Sequence, residues 1–275
     1  MQVYEIKDHE PSLLPEGKNW KPVWSDEFDG TELDRSKWGF RLNFWGRRFK
    51  PYTEEGVVLD GKSHLEIHLL EKDGHYCSAQ LQTGANSFDA PRASQANPWG
   101  QASIWPLGDI EKPTFMHRFG YYEVRCKFQR QPGWWSAFWL QSPSIGTAYD
   151  PTWCGIECDI MECFKPGEVT SGNIFGGYGR QFKEDARIRY PLAGDADAWH
   201  RFGVDWSESG YVFYCDGKET VRTNRHVSKV EQFILLTTEC QGYRNGNMDR
   251  PSDELKAAVL PDCFTVDYVR VFDAV

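Results

Sequence analysis

Short apolar runs alternate with polar residues along most of the chain, and turn residues separate the runs at short intervals. Alternation with a period of two is typical of β-strands whose two faces lie in different surroundings. Asp-Gly and Ser-Gly pairs between several runs favour tight hairpins. The pattern predicts strands at Val57–Leu59, His64–Leu70, Gly120–Gln129, Trp135–Gln141, Gly155–Phe164, His200–Trp206, Tyr211–Cys215, Phe233–Glu239 and Phe264–Phe272.

Many strands with few helical patterns predict an all-β protein, a sandwich or jelly roll of two antiparallel sheets in which one curved sheet can hold a groove. Two long stretches rich in Trp, Arg, Gly and Pro, Phe40–Glu55 and Gln82–Thr114, interrupt the strand pattern. Long irregular segments in a compact domain usually carry function, so we expect these two to form walls of a cleft. We expect a single domain over residues 1–275, with residues 1–20 as an arm packed on the sandwich.

Composition and charge narrow the functional classes. A chain of 275 residues that is 40% hydrophobic can bury a full core within one domain. The net charge of -9 opposes binding to phosphate backbones, and no basic run exceeds the Arg47-Arg48 pair, so we expect no nucleic-acid partner. No apolar run approaches the roughly 18 residues of a membrane span, and residues 1–21 lack the apolar stretch of a signal peptide. We therefore expect no membrane partner.

Cysteines and aromatic residues change this picture in different ways. The eight cysteines form no CxxC pair, which argues against zinc, and several lie in apolar runs, which favours buried thiols over the alternative of a disulfide framework. Aromatic residues make up 15% of the chain, and many stand next to Gly, Asn or Arg. Flat rings beside polar groups are typical of carbohydrate-binding clefts, although β-rich proteins are rich in aromatic residues in any case.

One segment carries unusual chemistry. The stretch Gly155–Phe164 places Glu157, Asp159 and Glu162 within six residues of an otherwise apolar strand. Burial of three acids is costly unless they face a wet cleft. Alternation puts Glu157 and Asp159 on one face and Glu162 on the other, so the sequence predicts a β-bulge near Ile160-Met161 that brings all three acids to one face.

With that bulge, the carboxyl groups of the two glutamates could approach to the ~5–5.5 Å that retaining glycosidases use. Crowding raises the pKa of at least one acid, which suits Glu162 as the protonated general acid/base and Glu157 as the ionised nucleophile, with Asp159 hydrogen-bonded to Glu157. A calcium site or an exposed acidic strand is the alternative interpretation, but Ile160 and Met161 mark the opposite face as buried.

The motif E-x-D-x-x-E formed by these acids lies among segments that resemble glycoside hydrolase family 16, the laminarinase, lichenase, agarase and carrageenase group. The segments are VWSDEFDGTELDRSKW, RFGYYEVRCKF, GWWSAFWLQ, WHRFGVDW, YVFYCDGKE and FTVDYVRVF, in this order over residues 23–273. The resemblance implies a concanavalin-like β-jelly-roll with the acids on the concave face, and retaining endo-hydrolysis of β-1,3 or β-1,4 bonds in glucans or galactans.

The resemblance also implies roles for single residues. Trp135 and Trp139 would line the sugar subsites, and Trp153 would flank the cleft. Asp267 falls where some members bind a structural calcium, whereas catalysis requires no cofactor. Members that act on galactans often have a His about a dozen residues past the acid/base, where this chain has Phe175, which weakens a transfer of carrageenase or agarase specificity.

The loop 41–48 lies where the family builds its negative subsites, and it offers Asn43, Trp45 and Arg47 as candidate substrate contacts. Since Arg pairs with anions through charge-assisted hydrogen bonds, a sulfated or otherwise anionic galactan is slightly favoured over a neutral β-glucan such as laminarin. Arg47 and Arg48 could equally pair with Glu54 or another acid of the chain.

A transglycosylase and a non-catalytic lectin on the same fold are the alternative functions, although a lectin has no need of a protonated carboxyl group beside an ionised one. We expect a monomer that binds a polysaccharide or oligosaccharide. The resemblance implies an extracellular or periplasmic protein.

Overall fold

The computed structural model describes residues 1–91, 104–195, 197–244 and 250–275. Its strands are β1 (Gln2–Ile6), β2 (His9–Leu14), β3 (Trp20–Asp26), β4 (Gly39–Phe40), β5 (Asn43–Phe44), β6 (Arg47–Arg48), β7 (Tyr52–Thr53), β8 (Val57–Leu59), β9 (Leu65–His68), β10 (Leu70–Lys72), β11 (His75–Gln82), β12 (Gly120–Lys127), β13 (Trp134–Gln141), β14 (Glu157–Lys165), β15 (Glu168–Phe175), β16 (Lys183–Pro191), β17 (His200–Ser207), β18 (Gly210–Cys215), β19 (Lys218–Thr223), β20 (Phe233–Cys240) and β21 (Cys263–Ala274). Two short α-helices, α1 (Pro151–Cys154) and α2 (Asp253–Lys256), and a 3-10 helix at Ser87–Asp89 complete the regular structure of these ranges.

Two large sheets stack face to face. The cleft sheet has the strand order β10-β11-β20-β13-β14-β15-β16, with β4 and β7 also paired to β11, and the back sheet has the order β19-β18-β17-β12-β21-β9-β8, with β3 paired to β21. The named strands of the described ranges pair antiparallel except β7, which runs parallel to β11. The predicted all-β jelly-roll sandwich of two antiparallel sheets is therefore confirmed.

The core lies between the apolar faces of the two sheets. Phe138 on β13 and Leu236 on β20 meet Val124 on β12 and Val269 on β21 in one buried cluster. The eight cysteines are all free and six of them are buried, as their apolar surroundings predict. No helix in the described ranges is long and apolar enough to cross a membrane.

The structure also differs from the predicted pattern. The stretch Phe40–Glu55 contains four short strands, β4 to β7, instead of one irregular loop. Residues 92–103 of the other predicted loop lie outside the described ranges. Strands β15 and β16 were not predicted, because EVTSGNIF and KEDARIRYP lack a clean apolar alternation. The buried Thr and Ser side chains of β15 explain why its burial does not show in the sequence.

The first residues form the hairpin β1–β2, which is bonded to the back sheet. The backbone N–H of Leu13 donates to Glu123 Oε1 at 2.9 Å. Arg270 Nη1 donates to the carbonyl of Glu10 at 2.8 Å and to Ser12 Oγ at 2.9 Å. Residues 1–14 therefore lie on the back sheet, on the side of the molecule away from the acids of β14.

Candidate active site

The three acids of β14 share one face of the cleft sheet. Ile160 is an extra residue with respect to β13, because the residues paired with consecutive positions of β13 step from Asp159 directly to Met161. Ile160 and Met161 both lie in the core. The predicted β-bulge is confirmed, and it turns Glu162 onto the face that carries Glu157 and Asp159.

Glu157 accepts two hydrogen bonds from neutral donors. Gln141 lies opposite it on β13, and Gln141 Nε2 donates to Glu157 Oε2 at 2.8 Å. The hydroxyl of Tyr178, in the segment after β15, donates to the same oxygen. Two donors favour the ionised form of a carboxyl group. Among the described residues, Asp159 and Glu157 do not form the hydrogen bond that the sequence predicted.

Asp159 and Glu162 instead share one cation, Arg187 of β16. Arg187 Nη1 donates to Asp159 Oδ2, and Arg187 Nη2 donates to Glu162 Oε2 at 2.6 Å. The carboxyl group of Asp159 is almost fully buried, whereas about a quarter of the Arg187 side chain is exposed. The electrostatic partner of Asp159 is therefore Arg187, whose long side chain reaches it from two strands away.

The pKa values of the three acids are raised together. Burial and the charge of Asp159 raise the pKa of Glu157 to about 8. The same two causes raise the pKa of Glu162 well above its ordinary value. Burial also raises the pKa of Asp159, against the lowering influence of Arg187. The three carboxyl groups therefore retain a proton among them near neutral pH, which acid–base chemistry requires.

A cavity of about 270 Å³ lies over the acids, and aromatic rings form much of its lining. The rings of Trp135 and Phe164 stand 5.4 Å apart on one side. Trp139 is mostly buried and donates from Nε1 to Thr237 Oγ1 at 2.9 Å. A second cavity of about 550 Å³ shares Trp135, Phe164 and Arg244 with the first. The two cavities make a groove that extends beyond the acids.

Two arginines lie in the lining of the first cavity. Arg41 is buried, and its Nε donates to Asp89 Oδ2 at 2.6 Å. Arg244 Nε lies 3.1 Å from Glu239 Oε1, and 38% of the Arg244 side chain is exposed. Each guanidinium thus has a carboxylate partner, and Arg244 is the more accessible of the two.

The loop 41–48 reaches the cavity through other residues than predicted. Trp45 lies in the lining, together with Arg41 and Phe44. Asn43 is half-buried and Arg47 is exposed, and neither lines this cavity. Asn43 lies on β5 and Arg47 on β6 of one small hairpin. In this hairpin Asn43 pairs with Arg48, and Phe44 pairs with Arg47. The hairpin turns Arg47 toward solvent.

Trp153 does not lie in the cavity lining either. The chain before β14 forms helix α1 instead of continuing the strand, because Asp150 caps its first turn and Pro151 occupies its start. Trp153 projects from that helix with 73% of its surface exposed.

The surroundings of Asp267 do not fit calcium. Asp267 Oδ2 accepts from Arg125 Nη1 at 2.6 Å, and Oδ1 lies 4.0 Å from His64 Nε2. Calcium prefers several oxygen ligands, and a guanidinium competes for the carboxylate. A structural calcium at this position stays an untested prediction. The described ranges do bring together three other potential metal ligands, Glu66, His68 and Cys263.

A wider cavity of about 950 Å³ lies under the arm, with Trp199 and Asp267 in its lining. Its buried acid Asp267 is paired with Arg125, which also contacts Glu10. Among the residues described around it, no group of three crowded acids like that of β14 is present. We therefore assign the candidate active site to the smaller cavity over β14.

Three polar residues that bond to the acids of β14 were not found from the sequence. Gln141 is the last residue of a predicted strand. An antiparallel pairing of that strand with the acid strand would have placed Gln141 opposite Glu157. Tyr178 lies in a Gly-rich turn segment, where the sequence gives no register. Arg187 lies on β16, whose sequence does not read as a strand, so nothing in the pattern brought it near Asp159.

The family model of "Glycosyl hydrolases family 16" matches residues 107–240 of the chain. A glucan endo-1,3-beta-glucosidase A1 of Niallia circulans is 25% identical over 91% of this chain and 37% of its own length. A beta-porphyranase D of Zobellia galactanivorans is 31% identical over 63% of this chain and 38% of its own length. The chain spans only 37% to 55% of the length of the first three curated relatives.

Solved structures show the same fold. The catalytic domain of an endo-1,3-beta-glucanase (laminarinase) from Thermotoga petrophila aligns with a TM-score of 0.67 at 22% identity, over 94% of this chain and 99% of that domain. At this identity the likeness supports the jelly-roll architecture and nothing finer.

Proposed function

The chain belongs to glycosyl hydrolase family 16, and from this membership we propose that it is a retaining endo-β-glycanase. The observation that carries the proposal is the bulge at Ile160, which gathers Glu157, Asp159 and Glu162 on the floor of an aromatic groove. A fold of this kind serves many functions, but three acids crowded on one largely buried face are costly unless they do chemistry.

In the first half of the proposed reaction, Glu157 attacks the anomeric carbon of the sugar. The bond between that carbon and the leaving oxygen breaks, and Glu162 gives its proton to the leaving oxygen. The donors Gln141 and Tyr178 hold the attacking carboxylate in place and favour its charge. The product is a covalent glycosyl-enzyme and a shortened chain with a free hydroxyl.

In the second half, Glu162 acts as a base. It takes a proton from water, whose oxygen attacks the anomeric carbon and displaces Glu157. Two inversions at one carbon give net retention. Asp159 keeps a negative charge between the two glutamates, which favours the protonated form of Glu162 before each new cycle.

The groove supports an endo-acting enzyme on a polymer. The second cavity continues the first along Trp135 and Phe164, so sugars on one side of the scissile bond could stack on these rings. A sugar chain bound along both cavities would be cut internally, and the expected products are oligosaccharides.

Two substrate classes remain within this proposal. A β-1,3- or β-1,4-glucan is favoured because two curated relatives are named as a glucan endo-1,3-beta-glucosidase and an endo-1,3-1,4-beta-glycanase. A sulfated galactan is the second candidate, because Arg244 lines both cavities and is more than a third exposed, and relatives include a porphyranase. The exposed position of Arg47 removes one of the reasons that first favoured galactan.

The test is a reducing-end assay of the wild type and Glu157→Gln on laminarin, mixed-linkage glucan, agarose, porphyran and carrageenans, with product sizes measured by mass spectrometry. We expect oligosaccharides from one substrate class, with turnover at least about 10³-fold lower in the variant. Proton NMR of the first product formed should show the same anomer as the cleaved bond.

Other outcomes would point elsewhere. Binding to a polysaccharide without cleavage would favour a lectin and overturn the proposal. Longer products on addition of an oligosaccharide acceptor would identify a transglycosylase, because a sugar hydroxyl would then intercept the glycosyl-enzyme in place of water. Substantial activity left in Glu157→Gln would remove that residue as the nucleophile.

A further inference from the structure

A second β-bulge lies beside the acids, on strand β16. Between the pairs Ser171–Ile188 and Asn173–Asp185, the single residue Gly172 of β15 faces two residues of β16. One of these two, Ala186, has a φ of 53°, a left-handed conformation that is unfavourable for a non-glycine residue. A bulge of this kind re-aims the side chains that follow it.

The bulge separates two charged residues that would share a face in a regular strand. Asp185 points away from the cleft and accepts from Thr223 Oγ1 at 2.6 Å, at the edge of the back sheet. Arg187 points to the other face and reaches the acids of β14. The strand therefore departs from regular geometry at the position that delivers Arg187 to the active site.

Gly172 provides the room for this approach. It lies opposite Asp159 on β14 and adopts a φ of 152°. A Cβ atom at this position would stand 2.7 Å from the Cα of Arg187, a distance that side chains do not tolerate. A glycine at position 172 therefore allows β15 and β16 to approach each other closely where Arg187 leaves the strand.

We propose that Arg187 is a positioning residue of the acid–base site: it holds Asp159 ionised and the carboxyl group of Glu162 in place, so that the shared proton stays on Glu162. This inference rests on the proposed glycosidase function. Its basis is the geometry of one guanidinium with two carboxylates, at 2.6 Å from Glu162 Oε2 and in direct contact with Asp159.

The surrounding charges agree with this role. Asp159 and Glu157 face Glu162 from its own strand, and Thr170 of β15 and Ala137 of β13 pair with it without a charge. From β16 the facing groups are Arg187 and Glu184, whose Oε1 lies 3.5 Å from Arg187 Nε. Among the described residues of these strands, Arg187 is thus the one cation in direct contact with the acids.

Loss of this cation has a definite sign. A positive charge within about 4–6 Å lowers the pKa of a carboxyl group by about 1–3 units, so its removal raises each step in the titration of the acids. Asp159 would then compete with Glu162 for the proton. Both limbs of the pH profile should move to higher pH, and a smaller share of the enzyme would hold the proton on Glu162.

The experiment compares Arg187→Met, Arg187→Lys and Arg189→Met. Arg189 lies two residues further on β16 and pairs with Glu168 at 3.5 Å, so its variant removes one charge from the same strand without touching the acids. The readouts are pH profiles of kcat and kcat/KM on the polysaccharide that the wild type cleaves, and NMR titration of ¹³C-carboxyl-labelled Asp and Glu, assigned with Asp159→Asn and Glu162→Gln.

In Arg187→Met we expect both limbs to move up by about one pH unit or more, and kcat at the optimum to fall at least about tenfold. Arg187→Lys should restore the limb positions but not the full kcat, because an ammonium cannot bridge both carboxylates in the same way. Arg189→Met should match the wild type in both readouts.

A loss of kcat in Arg187→Met at every pH, with limbs and carboxyl titration unchanged, would show a merely structural role and overturn the proposal. Wild-type activity in both variants would do the same. If the wild type cleaves nothing, the proposed function fails by itself, and the NMR titration still decides whether Arg187 holds Asp159 ionised: an unchanged titration in Arg187→Met would overturn that as well.

Discussion

Both sheets bury carboxyl groups, but in two different settings. On the back sheet, Glu123 is fully buried under the N-terminal arm, and its two oxygens accept from the Leu13 N–H at 2.9 Å and the Tyr268 hydroxyl at 3.0 Å. On the cleft sheet, Glu157 and Glu162 keep part of their surface open to a groove with aromatic walls.

Raised pKa values do not separate the two settings. Burial raises the pKa of Glu123 to about 7, and burial together with Asp159 raises that of Glu157 to about 8. What differs is the open side. Glu123 has a donor on each oxygen and the arm above it, whereas Glu162 faces space in which a sugar could lie. A perturbed carboxyl group marks a functional site only when a ligand can reach it.

The largest expected difference between the two settings is the loss of kcat when each acid is replaced by Gln, beginning with Glu162. Because a general acid contributes about 10²–10⁴-fold, Glu162→Gln should lower kcat by that range on the cleaved polysaccharide. In the wild type, activity should also fall as pH rises through the raised pKa of Glu162, and this alkaline limb should vanish in the variant. Stopped reducing-end assays over the acid, neutral and alkaline range measure both effects.

The same exchange at the back-sheet acid is the matched control. Glu123→Gln alters a buried carboxyl group far from the groove, so kcat and the alkaline limb should stay within about twofold of the wild type. A loss of less than about tenfold in Glu162→Gln, or a comparable loss in Glu123→Gln, would break the distinction between an open and a covered acid.

Glu123→Gln should instead change the free energy of unfolding, and the size of this change should depend on pH. Glu123 has a folded pKa of about 7 against an ordinary value of 4.5, so its contribution to stability is present below pH 4.5 and is lost as pH rises through 7. The amide introduced by Glu123→Gln does not titrate. At about pH 5.5, this variant should be destabilised by about 1–3 kcal/mol, because the extra amide N–H is buried without an acceptor.

By about pH 8.5 the difference should shrink or reverse, since the wild type then buries a charge. Urea unfolding at the two pH values measures the change. Glu5→Gln, on the exposed side of the same arm, controls for the loss of one negative charge. An identical destabilisation at both pH values would mean that Glu123 does not titrate in this range.

The sequence was sufficient for the elements that carry a regular period. Strand β14, its three acids and its bulge followed from alternation, because Ile160 and Met161 are two consecutive apolar residues between acids that face water. Strands β13 and β20 of the cleft sheet and β12, β17 and β21 of the back sheet followed for the same reason. Their buried faces are apolar and their neighbours on the chain are turn residues.

The rest depended on contacts between segments that are distant in sequence. Arg187 reaches Asp159 only because β16 pairs with β15 and bulges at Ala186, and β16 has no apolar alternation. The hydroxyl of Tyr178 meets Glu157 through a turn whose path no local pattern specifies. Register across a sheet and the direction of a bulged side chain are tertiary properties, so the partners of the acids could not be predicted.

The smallest expected effect compares a tryptophan inside the groove, Trp135, with one outside it, Trp153. Both were predicted as substrate contacts, yet Trp135 lines both cavities and Trp153 projects from α1 into solvent. Loss of a stacking ring costs about 1.4 kcal/mol, so Trp135→Ala should raise KM about tenfold with kcat little changed. Trp153→Ala should change KM less than about twofold.

Isothermal titration of the two variants on a Glu157→Gln background measures binding without turnover, and thermal unfolding separates a binding effect from a folding effect, since Trp135 also packs against Phe164. If Trp153→Ala weakens binding more than Trp135→Ala does, the sugar chain must run over α1 instead of along Phe164. The groove would then extend past the Glu157 end of β14, and the subsites would have to be assigned from that end.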